Sequence, residues 1–191
     1  MKRTYCSSLF FLLSVVILLG SCTLSRVNEA SPAKPELFSA TLEGACFDLE
    51  GKPVNVDSDY YLIYYAADWC PYCTAYAQEI KQTYSQLKKM YGNVEILFAG
   101  HVRDQSNEDL LSFLNQGEYP FPYIRYEFRE RTNIMNLVDV PKFWIPGFVL
   151  LDKYGKVLSS SNGEDKDAYY LQRPINAYQA LQQSDCISCQ K

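Results

Sequence analysis

Hydrophobic and polar positions change period several times along the chain, and each change marks an element. Residues 60–66, Tyr-Tyr-Leu-Ile-Tyr-Tyr-Ala, form an unbroken apolar run of strand length. From Cys73 the period lengthens: Ala77, Ile80, Tyr84, Leu87 and Tyr91 recur every three or four positions, with Gln78, Lys81, Gln82, Ser85, Lys88 and Lys89 between them. That spacing predicts an amphipathic helix, stopped by Gly92. Residues 94–99 return to strand character, and 106–116 predict a helix capped by Ser106, with Gly117 past its end. Pro120 and Pro122 precede residues 123–128, which suits an edge strand or extended loop, and 129–137 suit a short helix. Residues 148–151 and 156–159 pair about a turn at Asp152-Lys153-Tyr154-Gly155, and a helix over 165–183, interrupted near Pro174, closes the pattern. Upstream, 41–47 and 53–56 flank the loop 48–52 as a hairpin. Strands alternating with helices predict an α/β layered fold in one domain over residues 41–184.

The first forty residues follow a different pattern. Lys2 and Arg3 precede an apolar stretch, 9–19, that is shorter than the ~20 residues of a membrane-spanning helix and suits a signal peptide. Its end, Leu19-Gly20-Ser21-Cys22, resembles the lipobox of bacterial lipoproteins, which implies cleavage after residue 21 and a lipid on Cys22. Residues 22–40 are polar and proline-bearing, as a tether requires. The expected location is therefore the bacterial cell envelope, anchored to a membrane by the lipid and facing the periplasm or exterior. A hydrophobic share of 48% with 21% charged residues is ordinary for a globular chain, and a net charge of −4 without a basic cluster excludes nucleic acid as a partner.

Export changes the meaning of the seven cysteines, since disulfides persist outside the cytoplasm. Cys6 leaves with the signal and Cys22 carries lipid. Two Cys-x-x-Cys pairs remain, Cys70 with Cys73 and Cys186 with Cys189, together with Cys46, which suits a small buried hydrophobe in a strand. Cys70 and Cys73 stand where a strand passes into a helix. Three apart in a first turn, they share one face at about the 5.5 Å Cα separation of a disulfide. Free backbone N–H groups and the helix dipole favour a thiolate at Cys70, and Pro71 suits a first-turn position. The two pairs also allow a four-thiolate zinc site. His101, the single histidine, follows a strand without a patterned partner and suits a loop. The 16 tyrosines suit packing, except Tyr72 between the cysteines.

Three segments together carry a resemblance: Leu49-Glu50-Gly51-Lys52-Pro53-Val54, then Ala67-Asp68-Trp69-Cys70-Pro71-Tyr72-Cys73, then the run 145–157 that begins Ile145-Pro146-Gly147-Phe148. Over about 41–183 the chain resembles the thioredoxin superfamily, especially its tryparedoxin/nucleoredoxin-like branch and membrane-anchored bacterial thioredoxin-like lipoproteins. The resemblance implies a central mixed β-sheet flanked by helices, with an N-terminal β-hairpin extension. It implies that Cys70 attacks a disulfide, that Cys73 resolves the mixed disulfide, and that Pro146 is a cis-proline facing the pair. Substrate would meet Trp69, Pro71 and Tyr72, with Ile145 offering its backbone to an added strand.

No metal and no cofactor beyond the sulfurs is implied. The expected partners are cysteine-containing exported proteins and a redox partner that recycles the pair, with reduction as the favoured direction. Tyr64 stands where many thioredoxins carry a buried aspartate, so help from that carboxylate is not carried over. Pro71-Tyr72 matches the glutaredoxin dipeptide, but Trp69 and the segment 49–54 do not fit that family, and no glutathione site is inferred. Gly147 replaces a threonine common beside the cis-proline. Cys186 and Cys189, in the tail 185–191, suit an accessory redox pair or a structural disulfide. From another class, the alternative is a metal-binding lipoprotein for copper or zinc. Its Sco-like form is weakened because that family spaces its cysteines Cys-x-x-x-Cys.

Overall fold

The structure, a computed structural model, describes residues 35–188. The expected signal peptide, most of the tether, Cys22 and Cys189 lie outside the described residues. In chain order the elements are α1 (Phe38–Leu42), β1 (Cys46–Phe47), β2 (Tyr60–Tyr65), α2 (Pro71–Ala75), α3 (Ala77–Met90), β3 (Val94–Phe98), α4 (Asn107–Gly117) and β4 (Tyr123–Ile124). They continue with α5 (Arg129–Thr132), β5 (Gly147–Asp152), β6 (Val157–Ser160) and α6 (Arg173–Ser188). Short 3-10 turns, Tyr126–Phe128 and Ile134–Asn136, flank α5.

One mixed sheet runs β1-β4-β3-β2-β5-β6. Strands β2, β3 and β4 are parallel, whereas β5 lies antiparallel to β2 and β1 antiparallel to β4. Residues 61–65 are all buried, which explains why β2 lacks alternation: apolar layers cover both of its faces. On one face Leu62 and Tyr64 pack with Cys70, Cys73 and Ile80; on the other, Tyr61, Ile63 and Tyr65 pack with Phe38, Cys46 and Ile134. Cys46 is fully buried in β1, and burial pushes its thiol up to about 12. That is the inert role its position suggested.

Several boundaries depart from the sequence pattern. The helix expected to run from Cys73 to Tyr91 is two, because Tyr76 has ψ −8 instead of the helical value of about −42 and the ladder breaks there. The Tyr76 side chain is buried, its ring 6.3 Å from that of Phe148, with Gln172 donating to its hydroxyl at 3.0 Å. Ser106 caps α4 in a reciprocal capping box with Asp109. Gly117 falls inside α4 and Glu118 takes the left-handed position, since a β-carbon on Gly117 would strike the Tyr119 ring. Strand β4 is internal, between β3 and β1, and residues 125–128 turn away. Pro174 lies in the first turn of α6, where its missing N–H is harmless, so that helix begins at Arg173 and not at 165.

The N-terminal hairpin is short. One bridge joins Phe47 to Pro53 across a turn in which the Asp48 carboxylate accepts the Lys52 N–H at 2.8 Å. Residues before Cys46, expected as strand, are instead α1 and a turn through Gly44. Phe38, assigned to the tether, is buried against Tyr61 with ring centroids 5.1 Å apart, so the domain begins earlier than residue 41.

Candidate active site

Cys70 and Cys73 lie just past the carboxyl end of β2, the pole at which open α/β sheets collect their sites. Cys70 is the N-cap of α2, and its sulfur accepts the Cys73 N–H at 3.3 Å while donating to the Ile145 carbonyl at 3.6 Å. The structure therefore brings together Cys70, Cys73 and Ile145, 75 residues away in sequence. Both cysteines are free thiols. Only 4% of the Cys70 surface is open, against none for Cys73. The fold holds both sulfurs beneath the rim, and Trp69 and Tyr72, 51% and 75% exposed, stand above them. Burial is the main cause that pushes the Cys73 thiol well above its ordinary range, with the Cys70 side chain adding to the shift.

The loop before β5 is fixed from three directions. The Ile145–Pro146 peptide is cis. The Asn162 amide clamps the Trp144 backbone, accepting its N–H at 2.5 Å and donating to its carbonyl at 3.1 Å, and the Tyr169 hydroxyl donates to the Pro146 carbonyl at 2.7 Å. A β-carbon at Gly147 would lie 2.5 Å from the Phe143 ring and 2.7 Å from the Trp144 carbonyl. Glycine here lets the loop close tightly. A cleft of about 570 Å³ opens beside the pair, lined by Tyr72, Tyr76, Trp144, Pro146, Tyr169 and Leu171 among others. Apolar walls with few polar groups suit an extended peptide.

His101 is not a bystander. Its ring meets Trp69 edge-on at 5.0 Å, and the Arg103 guanidinium lies 5.3 Å from the centroid of the same indole. The loop after β3 that carries both residues is built on a buried ion pair: Arg129 meets Asp104 at 2.8 Å, each side chain 7% exposed, and also donates to the Ala99 and His101 carbonyls. Periodicity could not find this, because Arg129 is 25 residues from Asp104. The one available signal was that β2 and β3 run parallel, so residue 101 ends at the same pole as residue 70.

The histidine carries a testable pH dependence. Its Nδ1 accepts the Arg103 N–H at 3.1 Å, a bond only the neutral ring can make, and burial holds its pKa below the ordinary 6.5. A lowered folded-state value means that the stabilisation is complete above the unfolded pKa and is lost as pH falls through the folded one. NMR titration of this single histidine is expected to give a midpoint below about 6.5. A midpoint above that value would show that the ring is not held neutral.

Cys186 falls in the last turn of α6. That helix starts near Tyr76, where Gln172 binds, and by Gln182 it has reached Asn93, just before β3, at 3.2 Å. Fourteen residues at 1.5 Å each carry the backbone about 21 Å from Gln172 to Cys186, toward the pole opposite Cys70. Among the described residues no group of three or more His, Cys, Asp or Glu converges to hold a metal, and no helix is long and apolar enough to cross a membrane.

Comparison with known proteins adds a sequence match and a structural one. A family model described as thioredoxin-like matches residues 57–157. The chain is 26% identical over 102 residues to probable nucleoredoxin 3 of Oryza sativa subsp. japonica, covering 52% of this chain and 20% of that protein. It is 24% identical over 132 residues to nucleoredoxin of Homo sapiens, covering 67% of this chain and 29% of that protein. The chain thus spans less than a third of the length of these relatives. Tryparedoxin II from C. fasciculata superposes with a TM-score of 0.50 at 17% identity, covering 63% of this chain and 83% of that one. A mutant tryparedoxin-I gives 0.51 at 16%, covering 64% and 85%. The superpositions speak to the fold, which is thioredoxin-like.

Proposed function

The chain belongs to the thioredoxin-like family, and on that premise we propose that it is an exported, lipid-anchored thiol-disulfide oxidoreductase that reduces disulfides of other envelope proteins. The observation that carries this reading is the Cys70 sulfur held between the Cys73 N–H and the Ile145 carbonyl, beside an apolar cleft. An incoming strand would pair with the backbone at Ile145 and lie over Trp69, Pro71 and Tyr72. Cys70, as thiolate, attacks one sulfur of the substrate disulfide; a mixed disulfide forms and the other substrate sulfur leaves as thiolate. Cys73 then attacks the Cys70 sulfur, closing the Cys70–Cys73 bond and releasing the second substrate thiol. The substrate gains two electrons, which a dithiol partner later returns to the protein.

Reduction is favoured over oxidation on electrostatic grounds. A strong oxidant owes its potential to a stabilised reduced form. Here the Cys73 thiolate is disfavoured by burial, and the backbone donor to the Cys70 sulfur is the Cys73 N–H at 3.3 Å. Equilibration with a glutathione buffer is expected to give a potential nearer the thioredoxin value of about −270 mV than the DsbA value of about −120 mV, with insulin reduced in the presence of dithiothreitol. A potential at the DsbA end would reverse the direction.

Anchoring is tested separately. Cys22→Ser is expected to shift the protein from membrane to soluble fractions while insulin reduction by the domain stays unchanged. Wild-type protein found soluble and without acyl chains would overturn the anchor.

A further inference from the structure

The chain has two tryptophans, and both stand at the redox pair. Trp69 directly precedes Cys70, and Trp144 directly precedes Ile145, whose carbonyl faces the Cys70 sulfur. Each indole carries cations. The Arg103 guanidinium lies 5.3 Å from the Trp69 centroid, while the Lys142 and Lys166 ammonium groups lie 3.9 Å and 5.7 Å from that of Trp144. Cation–π contact places these side chains without neutralising them. Among the described residues none of the three has a carboxylate within 4.0 Å. A chain of net charge −4 thus keeps three cations without ion pairs around its sulfurs.

The cleft beside the pair shows what two of those charges face. One wall comes from α2, Tyr76 and the start of α3, including Tyr72 and Glu79; the other holds Trp144, Lys166 and Tyr169. Glu79 is engaged with the Gln172 amide, which donates to it at 2.7 Å, and Asp68 accepts the Ser112 hydroxyl at 3.1 Å. Asp165 accepts the Ala168 N–H at 2.9 Å. Exposed Glu164 and Asp167 also border Lys166 in sequence, but neither comes within 4.0 Å of its ammonium. The carboxylate that Lys166 and Lys142 lack within the protein is one that a substrate can bring.

We propose that the redox pair selects its substrates by charge, taking an extended protein segment in which an apolar side chain beside the cysteine enters the Tyr72–Trp144 cleft and a carboxylate two positions beyond it meets Lys166 and Lys142. The inference rests on the disulfide-exchange reading above and names the class of segment that reading leaves open. A strand paired at Ile145 turns every second side chain to the same side, so the apolar group and the carboxylate share one face about 7 Å apart. Arg103 adds charge of the same sign at Trp69, and a basic segment meets repulsion from all three.

The test uses the reduced full chain and short peptides presented as disulfide-linked dimers. Each has leucine next to its cysteine and, two positions beyond the leucine, aspartate, asparagine or lysine. Release of monomer is followed by chromatography, and each rate is divided by that with dithiothreitol alone, which removes the peptide's own reactivity. Exposed ion pairs are worth up to about fivefold each, and repulsion of lysine widens the gap, so the aspartate dimer is expected to react about tenfold faster than the lysine dimer. Added salt should shrink that ratio. Lys166→Glu and Lys142→Glu, both at exposed positions, should each lower it, and the double variant should reverse it. Lys156→Glu makes the same charge change in the β5–β6 turn at the opposite pole and should leave the ratio in place. Equal rates or the reverse order in wild type would overturn the proposal, as would an equal effect of Lys156→Glu, the mark of net charge alone. Oxidised glutathione reduced faster than the aspartate dimer, with the same loss in Lys166→Glu, would put a small disulfide in place of the protein segment. If wild-type protein reduces none of the dimers, it is the exchange reading that fails.

Discussion

Cys70→Ser is expected to bring disulfide reduction down to the uncatalysed background, whereas Cys73→Ser is expected to keep the first reaction and lose the second. The difference follows from position. Cys70 is the N-cap, its sulfur supplied with one backbone donor and facing the Ile145 carbonyl, at the edge of the cleft where a substrate strand would lie. Cys73 is one turn further, with no exposed surface, and can reach only a sulfur already attached to Cys70. A serine at 70 is a neutral hydroxyl at physiological pH and a poor nucleophile toward sulfur. A serine at 73 leaves the attacking thiol in place, and partners then accumulate as mixed disulfides that run as stable adducts on non-reducing gels. Mass spectrometry of those adducts would name the substrates. Trapping by Cys70→Ser, or by neither variant, would show that the roles are assigned wrongly.

Asp104→Ala is expected to lower unfolding stability by about 3–5 kcal/mol, the cost of leaving one charge of a buried pair without its partner. Arg129 would keep its bonds to the Ala99 and His101 carbonyls but lose its counter-charge, and the His101 N–H would lose the carboxylate that accepts it at 2.6 Å. Urea unfolding measures the loss directly. Arg129→Leu in the same chain is expected to recover part of it, because removing both charges also removes the desolvation penalty. A single variant within 1 kcal/mol of wild type would mean that solvent reaches the pair. Gly100 supports the same loop at φ +73, and its missing β-carbon leaves the room taken by Arg129, Asp104 and Leu110. Because this loop holds His101 and Arg103 against Trp69, Asp104→Ala should also alter Trp69 fluorescence.

Much of the fold was legible in the one-dimensional pattern, for a physical reason: the long elements are set by local periodicity. The apolar run of β2, the three-to-four spacing of α3, the Ser106 cap and the turn at 152–155 each depend on residues within a few positions of one another. The redox pair was legible for the same reason, since its cysteines share a single turn. Where local signals were overruled, tertiary packing decided. Tyr76 breaks a helix whose periodicity runs straight through it, because its ring packs near Phe148 and its hydroxyl meets Gln172. Residues 41–45 have strand-like composition but sit in and after α1, where Phe38 and Leu42 fill the face opposite the redox pair.

Of the surroundings of the sulfurs, the cis-Pro146 loop with Ile145 came only through the family resemblance, and the rest was not legible because it depends on contacts far apart in sequence: Trp144 with Asn162, Arg129 with Asp104, Trp69 with His101. Sequence alone determined which two atoms can exchange disulfides. The tertiary structure decided how deeply they lie and which groups face them, since burial and electric field are properties of the packed whole and not of any one segment.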